Sequence, residues 1–142
     1  MIKIQHAKSN FERNPLRAPF GFKGSYTTEL WQAVALMESA NGHRGLGLGT
    51  QGVLWSDAAV FANKSESAGN SMMYLMTDFA LHRAAGMSFE TPLDLLAELL
   101  PAVYDYGKKI TANKTLRLTF ALNSLVAVDN AAWQIWPSLK TH

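Results

Sequence analysis

The stretch Gly47-Leu48-Gly49-Thr50-Gln51-Gly52 spells G-x-G-x-x-G. That spacing lets a glycine backbone approach a dinucleotide pyrophosphate at a helix N-terminus. The chemistry needs a strand before the glycines, a helix after them and a returning parallel strand within about 30 residues. Here the preceding strand is the third of an antiparallel series. No second βαβ unit follows, and no strand ends in an acid placed to meet a ribose. A simpler role is available: glycines 45, 47, 49 and 52 strip side chains from one strand and its exit, so that something packs closely there or the chain bends.

The other polar groups are scattered. His6, His43, His82 and His142 do not cluster in sequence, and H-E-x-x-H is missing. Asp78 and His82 stand four apart, as a hydrogen-bonded helix-surface pair would. The first 23 residues carry Lys3, Lys8, Arg13, Arg17 and Lys23 against Glu12, with Phe20 and Phe22 among them. Basic plus aromatic suits nucleic acid, a lid over an anionic small molecule, or a solvated loop with its rings tucked into the core. Asp129 falls between Leu125 and Trp133 on the apolar face of the last predicted helix. A carboxylate there is costly unless paired or hydrogen-bonded, so a structural partner is expected.

These groups need a scaffold. Residues 2–12 alternate as a strand, with Ile2, Ile4, His6 and Lys8 on one side. "RNPLRAPFGFKGS", residues 13–25, holds two prolines and two glycines and predicts a loop. From Tyr26 the strand pattern returns, with Leu30, Val34 and Leu36 on one face and Trp31, Ala33, Ala35 and Met37 on the other, while its Leu, Ala, Gln and Glu leave helix as the alternative. Both faces are apolar, so both are expected to be covered. Asn41-Gly42 signals a turn, and "GLGLGTQGV" returns. Strands therefore occupy about 2–54, as a three-stranded antiparallel meander.

Helices occupy about 56–136. Ser56 is placed to cap a helix beginning "DAAVFA". A second helix runs to Gly86, with Leu75, Met76, Phe79 and Ala80 at helical spacing. Thr91-Pro92-Leu93-Asp94 has the form of a capping box, and Leu93, Leu96, Leu99, Leu100 and Val103 follow as a stripe. Pro101 predicts a kink or a short final turn, and Gly107 a stop. The last helix places Leu118, Leu122, Leu125, Ala132, Trp133 and Trp136 on one face and ends at Pro137. The class is α+β, a meander followed by three to four helices, over 1–142 as one unit.

Composition agrees with one domain. The chain has 142 residues, 48% of them apolar, which is enough for a core. A formal charge of +2 is too small to argue for nucleic acid. Without cysteine, disulfides and thiolate metal sites are excluded. The N-terminus lacks the apolar core of a signal peptide, and no apolar run approaches the ~20 residues that span a bilayer. A soluble, cytoplasmic chain without membrane contact is expected.

Three stretches in this order resemble the N-terminal capping domain of the enolase superfamily, in the mandelate racemase and muconate-lactonizing branch. They are the first loop "RNPLRAPFGFKGS", the hairpin "ELWQAVALMESANGHRGLGLGTQG" with its glycine-rich end, and "FALNSLVAVDNAAWQIW", similar to the family's final capping helix. The resemblance implies that catalytic bases and the carboxylate ligands of Mg²⁺ lie on a following barrel domain. A barrel of that kind needs over ~200 further residues, so no catalytic or metal-binding residue carries over to this chain. After Trp136 the sequence reads "PSLKTH", where the family continues through a Gly-x-Pro and a linker.

What the resemblance does imply is specificity. The first loop and the loop after the third strand would fold over the barrel mouth. By position these are Arg17, Phe20, Phe22 and Lys23, then Gln51, Leu54 and Trp55. Arg17 or Lys23 would suit a substrate carboxylate, while Phe20 and Trp55 would exclude water from an enolate. The implied partners are the barrel, further copies of the protein and a carboxylate-bearing small molecule. The alternative is a freestanding α+β module that holds an anionic ligand or nucleic acid on the basic aromatic loop 13–23.

Overall fold

The structure, a computed structural model, describes residues 1–22 and 24–136. Lys23 and the predicted helix end at Pro137 lie outside the described residues. The order is β1 (Ile2–Phe22), β2 (Ser25–Ser39), β3 (Arg44–Gln51), α1 (Val53–Ser56), α2 (Ala58–Asn63), α3 (Glu66–Ala84), β4 (Ser88–Phe89), α4 (Pro92–Ile110), α5 (Leu118–Ser124) and α6 (Val126–Ile135). The class is α+β. The antiparallel sheet has the order β3-β2-β1-β4. The meander thus gains a short fourth strand, whose Phe89 and Ser88 pair with Ile2 and Lys3.

The first strand departs from expectation in two ways. A register shift between Ile4 and His6 inverts the alternation. Ile4 is buried with the core, whereas beyond the shift Ala7 and Ser9 turn inward and His6 and Lys8 face out. Residues 13–22 are also not a loop: β1 continues to Phe22, paired with β2, and a second register shift between Pro15 and Phe20 absorbs the prolines. β4 covers β1 only at Ile2 and Lys3. The far half of β1 is therefore an edge, where a proline without an N–H is tolerated. At the next turn Gly42 takes φ +90°, which the Asn-Gly signal anticipates.

Among the described residues, one face of the sheet is covered. Trp31, Ala33, Ala35 and Met37 of β2 are buried under α6 and α3. Leu30 of β2, with Leu46 and Leu48 of β3, stays exposed on the other face, so the expected two-sided burial does not occur among the described residues.

The helical half is more broken than predicted, with six helices rather than three to four among the described residues. Asp57, not Ser56, caps α2: its side chain accepts from the amides of Ala59 and Val60. α4 starts at the predicted Thr91–Asp94 capping box. It then runs through Pro101, whose exposed position lets water meet the carbonyl that the ring leaves unbonded. Its buried row is Leu95, Leu99, Val103 and Gly107, while Leu93 is exposed. Gly107 does not stop the helix. It seats Met76 of α3, whose Cε lies 2.4 Å from where a Cβ would be. The last predicted helix breaks at Leu125 into α5 and α6, leaving Leu118 and Leu122 exposed.

Candidate functional site

The glycines of β3 lie against a helix. Alternate positions Gly45, Gly47 and Gly49 face α6, which crosses the strand. A Cβ on Gly47 would stand 2.0 Å from Ala127 O, and one on Gly45 2.4 Å from Ala131 O. Those atoms are helix backbone and cannot step aside. α6 meets the glycines with its own small residues, Ala127 and Ala131, both buried. The space a pyrophosphate would need is occupied by α6, and α1, which follows Gly52, has four residues. β3 is an edge strand, and α6 also covers its rim: Asn130 Nδ2 donates to Leu48 O at 2.9 Å.

Asn123 of α5 fixes the strand's exit. Its Oδ1 accepts from Gly52 N at 2.8 Å and Ser56 Oγ at 2.9 Å, and its Nδ2 donates to Thr50 O at 3.0 Å. The bend from β3 into α1 is thereby held at three points. Asp57, itself buried, adds a fourth tie by accepting from Arg117 N at 2.9 Å. From this bend Leu54 points inward, 4% exposed, and Trp55 outward, 64% exposed.

Opposite stands the β1–β2 arm. Its base is tied to the start of α3, where the Glu66 carboxylate accepts from Thr28 N at 2.8 Å and from the Thr28 hydroxyl. Arg13 makes a two-pronged bond to Glu29, at 3.1 and 3.0 Å, and lies over the Trp31 ring at 4.7 Å. The Arg13 bond holds the Glu29 carboxyl below its ordinary range, against the opposing effect of burial. Farther out, the Phe22 ring stacks on Trp55 with centroids 6.3 Å apart.

Arm, bend and α5 line an open cavity of about 850 Å³. Phe20, Phe22, Gln51, Leu54 and Trp55 all line it, so five of the seven predicted contact residues come together. Gln51 is 5% exposed and fixed by an amide chain: its Nε2 donates to Asn70 O and Oδ1, both at 2.9 Å, and Asn70 Nδ2 donates to Glu66 O. It is a wall residue held by the protein. Arg17 is exposed and is not part of the lining, and Lys23 lies outside the described residues. Sequence reasoning missed Leu16, Glu29, Glu66, Asn70, Asn123 and Val126. One signal was available: Asn123 sits inside a predicted helix, where asparagine is a poor helix former and needs another reason to be there.

Asp129 is not in the lining. It is half-buried on α6 with Oδ1 unpartnered. Burial raises its pKa, and hydrogen bonding to Trp133 draws it partly back. Asp78 and His82 form the predicted surface pair at 3.2 Å, and Asp78 also accepts from Ser9 Oγ at 2.5 Å. Among the described residues no three His, Asp or Glu side chains gather as metal ligands. Glu29 and Glu66 are committed to protein donors, so the residues present do not fit a magnesium ion. No described helix is long and apolar enough to cross a membrane.

No family model matches the sequence, and neither does any curated protein. Solved structures do match in fold. L-Talarate dehydratase from Polaromonas sp. JS666, complexed with Mg and L-glucarate, aligns with 99% of this chain and 33% of its own at a TM-score of 0.60 and 19% identity. Dipeptide epimerase from Enterococcus faecalis V583, complexed with Mg and the dipeptide L-Leu-L-Tyr, aligns with 97% of this chain and 32% of its own, at 0.54 and 15% identity. A mandelate racemase/muconate lactonizing enzyme from Polaromonas sp. JS666 aligns with 98% and 30%, at 0.58 and 19% identity. The chain spans about a third of the length of each. Its fold, an antiparallel sheet followed by helices, is one found over about a third of these enzymes.

Proposed function

We propose that residues 1–142 form the substrate-pocket capping domain of a magnesium-dependent enolase-superfamily enzyme, of the racemase, epimerase, cycloisomerase or acid-sugar dehydratase class. On this reading the chain is not catalytic by itself. A barrel domain, in the same or a separate chain, supplies the bases and binds Mg²⁺, the substrate is a small molecule bearing a carboxylate, and the protein is cytoplasmic. One observation carries the reading: Phe20 and Phe22 on the arm meet Gln51, Leu54 and Trp55 at the β3 exit around one cavity. These are the two segments that the resemblance marks as pocket walls, and they lie 28 or more positions apart in sequence. The open sheet face with Leu46 and Leu48 is the surface for a neighbouring domain or subunit.

The alternative, an anion-binding module on residues 13–23, finds little support in the geometry. Arg13 is spent on Glu29, and Phe22 is stacked on Trp55. The experiment is a panel of carboxylic acids offered with Mg²⁺ to the full-length protein, with exchange of the proton next to the carboxylate followed in D₂O. Trp55→Ala and Phe20→Ala should change the relative kcat/KM among the acids by tenfold or more. Equal kcat/KM ratios in wild type and both variants would remove the reading.

A further inference from the structure

We infer that the part of the substrate entering this cavity is apolar and uncharged, so that the substrate is a monocarboxylic acid with an aromatic or branched aliphatic distal group. The inference rests on the capping reading and concerns the end of the molecule remote from the reacting carboxylate.

The cavity's volume, about 850 Å³, is ample for such a group. Leu16 and Phe20 from the arm, Leu54 and Trp55 from the bend, and Leu122 and Val126 from α5 and α6 supply its apolar wall. Much of its polar wall is already engaged within the protein. Asn123 is used by Gly52, Ser56 and Thr50, and the Thr119 hydroxyl donates to Ser56 O. Gln51 Nε2 is spent on Asn70, while its Oε1 is buried without a partner. The charged side chains of the described lining are Glu29 and Glu66, both acids, and no described lining residue is basic. A run of hydroxyls placed here would lose water for few free partners, and a second carboxylate would find no basic side chain in the described lining and would meet two like charges. Burying a charge unpaired is prohibitive, and burying a hydroxyl unpaired is costly. An aromatic or aliphatic group loses nothing on entry and gains burial against Trp55, Phe20 and Leu54.

Trp55 makes the test direct, because it is the one tryptophan among the lining residues. The full-length protein with Mg²⁺ is titrated with 3-phenylpropionate, 4-methylpentanoate and the polyhydroxy diacid glucarate, and tryptophan emission is followed against a Trp55→Phe control. The two apolar acids should give saturable changes that Trp55→Phe loses, at concentrations at least tenfold below any effect of glucarate. Phe20→Asp should weaken them tenfold or more, and Phe20→Arg should shift preference toward the diacid. Glucarate binding as tightly as the apolar acids, with Arg17→Ala or Lys23→Ala abolishing it, would overturn the inference while leaving the capping role intact. Turnover of any acid that is indifferent to Phe20 and Trp55 would overturn both. Absence of a saturable response to the apolar acids would also overturn the inference.

Discussion

Ala127 O stands 2.0 Å from the point where a Cβ on Gly47 would lie. That is well inside contact distance, and both sides of the contact are backbone. α6 and β3 can therefore keep their spacing only while position 47 has no side chain. Overpacking a core by a methyl group or two costs about 1–3 kcal/mol when side chains can adjust. Here they cannot, so Gly47→Ala should lose at least that much. Gly49→Ala should cost less, because its nearest contacts lie at 2.9 and 3.3 Å. Leu48→Ala, at an exposed position between them, should stay within about 0.5 kcal/mol. Urea unfolding of the three variants gives the ranking. Gly47→Ala with wild-type stability would show that α6 does not rest on the strand.

Asn123 should matter to the site as well as to the fold. Asn123→Ala leaves the half-buried Gly52 N without the partner shown here, at a cost of about 1–3 kcal/mol, while the exposed Thr50 O can turn to water. The bend that aims Trp55 would lose its anchor. The expected outcome is a lowered unfolding midpoint together with a changed Trp55 emission in the folded protein. A stability loss without any change at Trp55 would mean that Asn123 supports α5 and has no hand in the cavity.

The parts of this fold that rest on local pattern were legible in the sequence. β2 reads directly from its alternation, and the Thr91 capping box from its spacing. The resemblance carried by the first loop and the glycine-rich strand brought Phe20 and Trp55 under one heading, although residues 13–22 were expected as a loop. What failed depended on distant neighbours. β1 runs through Pro15 because β4 reaches only Ile2 and Lys3 and leaves an edge there, which no window around residue 15 reveals. Gly107 looked like a helix stop, yet its role is set by Met76, thirty-one positions away in α3. The polar cavity residues were invisible for the same reason: Asn123, Asn70 and Glu66 acquire their roles only once β3, α3 and α5 meet.

Asp129 gives a pH-dependent prediction. Its folded pKa is raised because burial disfavours the carboxylate, with Trp133 partly compensating. With a raised pKa, the stability linked to this group is fully present below the unfolded pKa and is lost as pH rises through the folded value. At neutral pH Asp129 therefore lowers stability. Asp129→Asn should raise the urea midpoint at pH 7, and the gap from wild type should close as pH falls through the folded pKa. The opposing effect is the helix dipole, since an acid in the first turn of α6 gains about 0.3–1 kcal/mol. If Asp129→Asn is less stable than wild type at pH 7, the dipole outweighs burial and the prediction fails.

The open face of the sheet supplies the last prediction. Leu46 and Leu48 are 54% and 47% exposed, and Leu30 of β2 shares the face. Contiguous apolar surface of this kind marks a contact with another domain or chain. At its polar end Arg44 and Glu38 pair at 2.8 Å beside His6 and Lys8, so a partner would meet the leucines at the other end. Leu46→Glu with Leu48→Glu leaves the buried face of β3 untouched, because both side chains point away from α6. In the full-length protein the double variant should therefore keep its helical circular dichroism. It should lower the molar mass in light scattering if the face joins copies of the protein, or lower the melting midpoint by several degrees if it joins domains of one chain. Wild-type mass and melting in the double variant would leave this face as free surface and count against the proposed partner.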